Sequence, residues 1–343
     1  MTSRRRFLQL SGGLAAMGAV PQFAQAQGAA KFTAKVAHLE SPLQPRHKGL
    51  EKVAALVSER TKGEVELKLY PAAQLGPARQ EIEGVQFGAI ECTVMPAAFL
   101  GGFNPVVSIF DIPFLYPDDL AKANALRTGP LGQFVLDSFA SRGFVATTLW
   151  PNGRKCMTSN KPLAEPENFK GQKFRVMDSK ILIDQFGAVG ASAIALPFGE
   201  LYTALQTGVV DGQENPPDTI TTMKFNEVQK YLVVSNHGAM EDVVLFNPGF
   251  WNKLPEGHRK IVSTAFLEVR PDVEASKSKA MADALERIKA SGKTEVRELS
   301  AAERTVWQKQ MAPAAEAAFK QRAGADGAKA LDIYRAEVKR LGI

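Results

Sequence analysis

Four residues beside short apolar runs carry most of the chemistry this chain offers. Arg175 stands inside FKGQKFRVMDS (residues 169–179), where Phe174 and Val176 alternate with Lys173, Arg175 and Met177 in the period-two pattern of a half-buried strand. Asn152-Gly153-Arg154 follows an apolar run ending in Trp150. Phe198 follows Leu196-Pro197, and Asn215 closes VDGQEN just before Pro216-Pro217. A guanidinium offers two parallel N–H donors that match the two oxygens of a carboxylate, which fixes orientation as well as affinity. An asparagine amide can donate to a remaining lone pair, and a phenyl ring supplies an apolar wall. On pattern alone each residue has a plainer use: a solvated face or structural ion pair for Arg175, a turn for Arg154, a helix cap for Asn215 and core for Phe198.

The elements that must position these residues follow from periodicity. Residues 31–37 read as a strand, 46–61 as a helix with Leu50, Val53, Ala54 and Val57 on one face, and 64–70 as an alternating strand. A helix over 78–87, stopped by Gly88, leads to an apolar strand over 90–95. This β-α-β-α-β order predicts a parallel sheet with helices on its faces. Ligands of such sheets sit at the carboxyl ends of strands, here near Ala37-His38, Tyr70-Pro71 and Met95-Pro96. Helical patterns follow at 120–127 and 131–141, then strands at 144–150 and 154–158 with Pro151-Asn152-Gly153 as the break. Past the FKGQKFRVMDS strand, whose Asp178-Ser179 suits a helix cap, come a helix at 180–189, a strand at 193–196 and a helix at 198–207. Residues 231–247 are extended, interrupted at Asn236-His237-Gly238, and 255–291 are helical, with Pro271 expected to kink rather than end the helix. Two amphipathic helices, 301–322 and 328–341, close the chain.

The expected fold class is therefore α/β. It has two lobes of the periplasmic-binding-protein shape, each a sheet flanked by helices, joined by crossings near Trp150-Asn152 and His237-Met240. Lobe 1 takes residues 27–151 plus 241–280, and lobe 2 takes 152–240 plus 281–343. Trp150 and Met240 at the crossings, and His38 at a strand end, are expected to line the cleft.

Composition narrows the function. At 343 residues, with 45% hydrophobic and 23% charged residues, the chain is ordinary globular protein. The formal charge of +6 is halved without Arg4, Arg5 and Arg6, and no like-charge block remains to suggest a nucleic-acid groove. Those arginines belong to SRRRFL, a twin-arginine export signature. A weakly apolar stretch and Ala24-Gln25-Ala26 follow, so residues 1–26 are expected to be cleaved and the mature, soluble periplasmic protein to begin near Gln27. Cys92 and Cys156 are expected as two buried free thiols; a disulfide is the less favoured alternative. The sequence contains no GxxxxGK[ST], HExxH or GxSxG, and no GxGxxG after a strand. His38, His47, His237 and His258 lack metal-like spacing, and Asp118-Asp119 and Glu241-Asp242 have no visible base–nucleophile partner. No cofactor, no metal and no catalytic residue are expected.

The central text resembles the solute-binding subunits of tripartite ATP-independent periplasmic (TRAP) transporters, in the branch of dicarboxylate and sialic-acid receptors. AAQLGPARQEIEGVQFGAIE, FDIPFLYPD, WPNGRKCMTSNKP, ENFKGQKFRV and LPFGELYTALQTGVVDGQEN carry the likeness in order and nearly in spacing. The resemblance implies that Arg175 grips the ligand carboxylate, with Arg154 as a secondary arginine, Phe198 as a ring packed on the ligand and Asn215 as an amide on the same carboxylate. It also implies a cation-free site, because Glu214-Asn215 stands where the cation-bridged keto-acid branch carries tryptophan. Gln80 falls where some relatives place an acidic residue at the distal end of the ligand. The implied partners are a small organic acid and a pair of TRAP permease subunits, with a monomeric receptor between them. C4-dicarboxylates, sugar acids, aromatic acids and branched acids all suit an arginine-gripped site. Two other readings share the sequence: a ligand sensor for a signalling partner, and, less favoured, an exported enzyme.

Overall fold

The computed structural model describes residues 30–343, so the export segment expected over residues 1–26 lies outside the described residues. Nine strands form one mixed sheet: β1 (Phe32–Ala37), β2 (Val65–Tyr70), β3 (Cys92–Pro96), β4 (Val145–Ser159), β5 (Lys173–Val176), β6 (Ser192–Ala195), β7 (Gly212–Asn215), β8 (Tyr231–Phe246) and β9 (Glu295–Glu298). Around them lie α1 (Pro45–Arg60), α2 (Ala78–Phe87), α3 (Leu120–Thr128), α4 (Pro130–Asp137), α5 (Lys180–Gly187), α6 (Leu201–Gln206), α7 (Pro217–Thr222), α8 (Pro248–Lys253), α9 (Glu256–Ser291) and α10 (Ala301–Leu341).

The strand order is β2-β1-β3-β8-β4-β7-β5-β6, with β9 added to β8. At one end β1 is parallel to both β2 and β3, as the β-α-β-α-β reading requires. At the other end β5 is parallel to both β6 and β7. Between these ends run two long antiparallel strands, β4 and β8. The expected break at Pro151-Asn152-Gly153 is not a break, and the interruption at Asn236-His237-Gly238 stays inside β8. The sheet absorbs both as register shifts, one between Pro151 and Arg154 and another between Lys155 and Met157. The two expected sheets are thus one, because both crossings remain hydrogen-bonded to each other. Gly153, at φ +93°, makes the first shift possible. A Cβ there would meet Met281 Sδ at 2.6 Å.

Four apolar clusters fill the spaces around the sheet. One lies between α1, α9 and strands β1, β3 and β8, around Leu50, Val53, Val94, Trp150, Val244 and Phe266. Another holds β5 in place: Phe174 stacks on Phe186 at 5.0 Å and tilts against Phe169 at 5.0 Å, and Phe169 meets Trp307 of α10 edge-on. Cys92 and Cys156 are buried and free, each in a different cluster, so no shared space brings the thiols together. α9 stays helical through Pro271. α10 contains a break at Gly324 (φ 57°, ψ −135°), which reproduces the two closing helices expected from the pattern. Among the described residues no helix is long and apolar enough to cross a membrane.

Candidate functional site

Arg175 sits at the centre of β5, flanked by Phe174 and Val176, whose side chains enter the aromatic cluster. Alternation sends Arg175 to the opposite face. That face is not solvated: Arg175 is 1% exposed, so the strand is buried on both sides rather than half-buried. Its Nε and Nη2 both donate to the Leu196 carbonyl, at 3.0 and 2.9 Å, and its Cζ lies 5.9 Å from the Phe198 ring centroid. It forms no ion pair among the described residues. The carboxylate whose charge acts on it, Glu214, is already engaged: Lys155 Nζ donates to Oε1 at 2.7 Å, and His237 Nε2 lies 2.7 Å from Oε2. Burial lowers the Arg175 pKa to about 10, opposed by the Glu214 charge, and at neutral pH the guanidinium remains protonated. A desolvated cation without a counter-ion is the most unusual electrostatic feature of the fold.

Around it closes a cavity of about 20 Å³, lined by Leu39, Glu40, Arg46, Pro96, Phe99, Arg175, Met177, Phe198, Asn215, Thr219 and Met240. Its walls come from both ends of the sheet. A wider cleft of about 780 Å³ shares Phe99 with it and is bordered by Pro77-Ala78-Arg79, Ser179-Lys180-Ile181 and Ala195-Leu196-Pro197. That cleft is larger but contains neither Arg175 nor Asn215, so the chemistry resides in the smaller space behind it.

Of the residues singled out from sequence, four meet here: Arg175, Phe198, Asn215 and Met240. Asn215 does not cap α7; Pro216 occupies the N-cap position, and the Asn215 amide donates to Gln213 Oε1 from within β7. Phe198 opens a short 3₁₀ turn and meets Phe225 edge-on at 6.2 Å. The other four lie elsewhere. Trp150 is fully buried in the α1–α9 cluster, where Nε1 donates to the Phe266 carbonyl at 2.9 Å. Arg154 donates to the Pro117 carbonyl and covers the Tyr116 ring, beside a separate small cavity, because the register shift turns it away from Arg175. His38 is buried with Nε2 3.1 Å from His47 Nδ1, and burial, then Arg46, hold its pKa down at about 3. Gln80 is on the exposed side of α2.

The pattern reading missed Glu40 and Arg46. Arg46 is 2% exposed; its Nη2 lies 2.6 Å from Asp242 Oδ2 and 3.3 Å from Glu40 Oε1, and its Nη1 donates to the Val94 carbonyl at 3.3 Å. Burial raises the Asp242 pKa to about 7 despite Arg46. Burial acts most strongly on Glu40 and would raise its pKa, but Arg46, Lys277, Asn152 and His38 together hold it below its ordinary value. A signal was available. Arg46 occupies the first turn of α1, where the helix dipole disfavours a cation, so something else had to hold it. Lys155, beside the candidate Arg154, is likewise buried and paired with Glu214.

The carboxyls give a pH signature. Glu81, fully buried with no hydrogen-bond partner among the described residues, is pushed up to about 8 by burial. Together with Asp242 its folded pKa exceeds the unfolded one, so its contribution is present at low pH and is lost as pH rises through the folded value. Below about pH 6.5 the buried His38, whose folded pKa is depressed, acts in the opposite sense. The expected result is a melting temperature that falls between about pH 6.5 and 8, with Glu81→Gln flattening that limb. A flat or rising profile in the wild-type protein over that range would contradict these burial effects.

The sequence model for bacterial extracellular solute-binding protein, family 7, matches residues 36–322. The chain belongs to that family. Among family 7 proteins, the C4-dicarboxylate-binding periplasmic protein DctP of Rhodobacter capsulatus is 36% identical over 307 residues, covering 88% of this chain and 91% of its own. The 2,3-diketo-L-gulonate-binding periplasmic protein YiaO of Escherichia coli is 35% identical, over 66% of this chain and 69% of its own. A crystal structure of a TRAP periplasmic solute-binding protein from Desulfovibrio salexigens, with bound orotic acid, superposes with a TM-score of 0.89 at 62% identity, covering 90% of this chain and 99% of that one. A second, from Sulfurospirillum deleyianum with bound succinate, gives 0.81 at 35% identity, covering 88% and 99%. The family 7 fold is thus a mixed α/β sheet with flanking helices and long C-terminal helices, as found here.

Proposed function

We propose that this protein is a periplasmic receptor that takes the carboxylate of a small organic acid onto the Arg175 guanidinium and delivers the acid to a TRAP-type permease. The observation that carries this reading is the buried, protonated Arg175 with only a carbonyl as partner. A bidentate carboxylate supplies the missing charge and uses the fork geometry. Asn215 lies beside it to donate to a remaining lone pair, and Phe198, Met177 and Met240 give the body of the solute apolar walls. A space of about 20 Å³ holds about one water, so uptake of an acid requires the two sides of the cleft to part and close again by a hinge. Orotate, held by the 62%-identical relative, is the first candidate. Twin-arginine export and a monomeric receptor complete the reading.

The test is mass spectrometry of small molecules released on denaturing the protein as purified, followed by calorimetry on the stripped protein. The expected result is release of a carboxylic acid that rebinds at micromolar or better affinity. Arg154→Ala is expected to leave that affinity within about threefold, since its guanidinium is spent on Pro117 outside the cavity. Release of a neutral metabolite or a redox cofactor would contradict the reading.

A further inference from the structure

We infer that the cavity selects a monoanion: one carboxylate meets Arg175, and the far end of the solute presents neutral N–H or O–H donors to Glu40. This rests on the receptor reading above and narrows its substrate class.

Arg46 is shared between Glu40 and Asp242. Lys155 is held by Glu214, and Lys277 by Asp218 at 2.7 Å. Arg154 is turned to Pro117 and lines a different space. Of the two cations that line the cavity, Arg46 is committed and Arg175 alone has no carboxylate, so the site compensates one negative charge. A second negative charge inside this cavity would find no free cation in its lining.

What it would find there is an acceptor. Glu40 lines the cavity, and neither of its carboxyl oxygens makes a hydrogen bond among the described residues, its Arg46 approach of 3.3 Å notwithstanding. Buried carboxyl oxygens without donors call for donors from a guest. A dicarboxylate would set oxygen against oxygen and charge against charge. Orotate, with one carboxylate and ring N–H groups, has the required pattern; succinate does not.

The experiment is a thermal-shift and calorimetric panel on stripped wild-type protein. It sets monocarboxylates bearing N–H or O–H groups, orotate included, against succinate and L-malate. The expected outcome is that the tightest ligand is a monoanion and that both dianions bind at least about 100-fold more weakly. Glu40→Gln is expected to improve succinate binding about tenfold or more, narrowing the gap. A dianion within threefold of the best monoanion, and still lost in Arg175→Ala, would overturn the charge selection while leaving the receptor reading standing. Binding that is indifferent to Arg175→Ala, or no binding by any acid, would remove both.

Discussion

Arg175→Ala gives a folded protein whose affinity for its organic acid falls by roughly 30- to 5,000-fold, the equivalent of about 2–5 kcal/mol for truncating one side of a desolvated charge pair. Stability changes little. The Leu196 carbonyl loses two donors, but the fold is relieved of a buried cation that has no counter-ion. Arg175→Lys is expected to fail nearly as badly, since an ammonium cannot reproduce two parallel donors and neutralises readily when buried. Calorimetry on both variants, with melting curves recorded without ligand, separates loss of binding from loss of fold. Either variant within a few-fold of wild type would show that the carboxylate is gripped elsewhere.

The second large effect concerns stability. Arg46→Met leaves Glu40 and Asp242 facing one another in the interior without their shared cation. Breaking a buried ion pair from one side costs about 3–5 kcal/mol. The sign of its pH dependence follows from the same loss. Without Arg46 both carboxyls have folded pKa values above their unfolded ones, so the deficit deepens as pH rises through those values. Denaturant unfolding at pH 5 and pH 8 should therefore show a larger deficit at pH 8. Converting the acids as well, in Arg46→Met with Glu40→Gln and Asp242→Asn, should recover most of the lost stability. A single-variant loss under 1 kcal/mol, or one equal at both pH values, would mean the triad is not the buried network described.

These two predictions mark the boundary between what was legible in the chain and what was not. Local order was legible. Alternation around Phe174 and Val176 put Arg175 on the face away from the aromatic cluster, and the β-α-β-α-β run gave the parallel pairing of β1 with β2 and β3. The Gly-terminated α2 and the broken closing helices were also visible, because each depends on residues a few positions apart. The motif order indicated the family, and Asn215 and Phe198 do meet Arg175 around one cavity.

Tertiary structure alone decided whether the face carrying Arg175 is wet or dry. Alternation says which side chains share a face, but not what covers that face; here the cover comes from residues around 39–46, 96–99 and 196–198. It also decided the fate of neighbouring cations. Arg46 finds Asp242 across 196 positions, and Lys155 finds Glu214 across 59, while Arg154 is turned aside by a one-strand register shift. Trp150 entered the core for a similar reason, its indole N–H being met by Phe266 from a distant helix. Charge compensation is a property of points in space, and chain separation carries almost no information about it. The residues able to do the chemistry could therefore be named in advance, whereas which of them is left with an unspent charge could not.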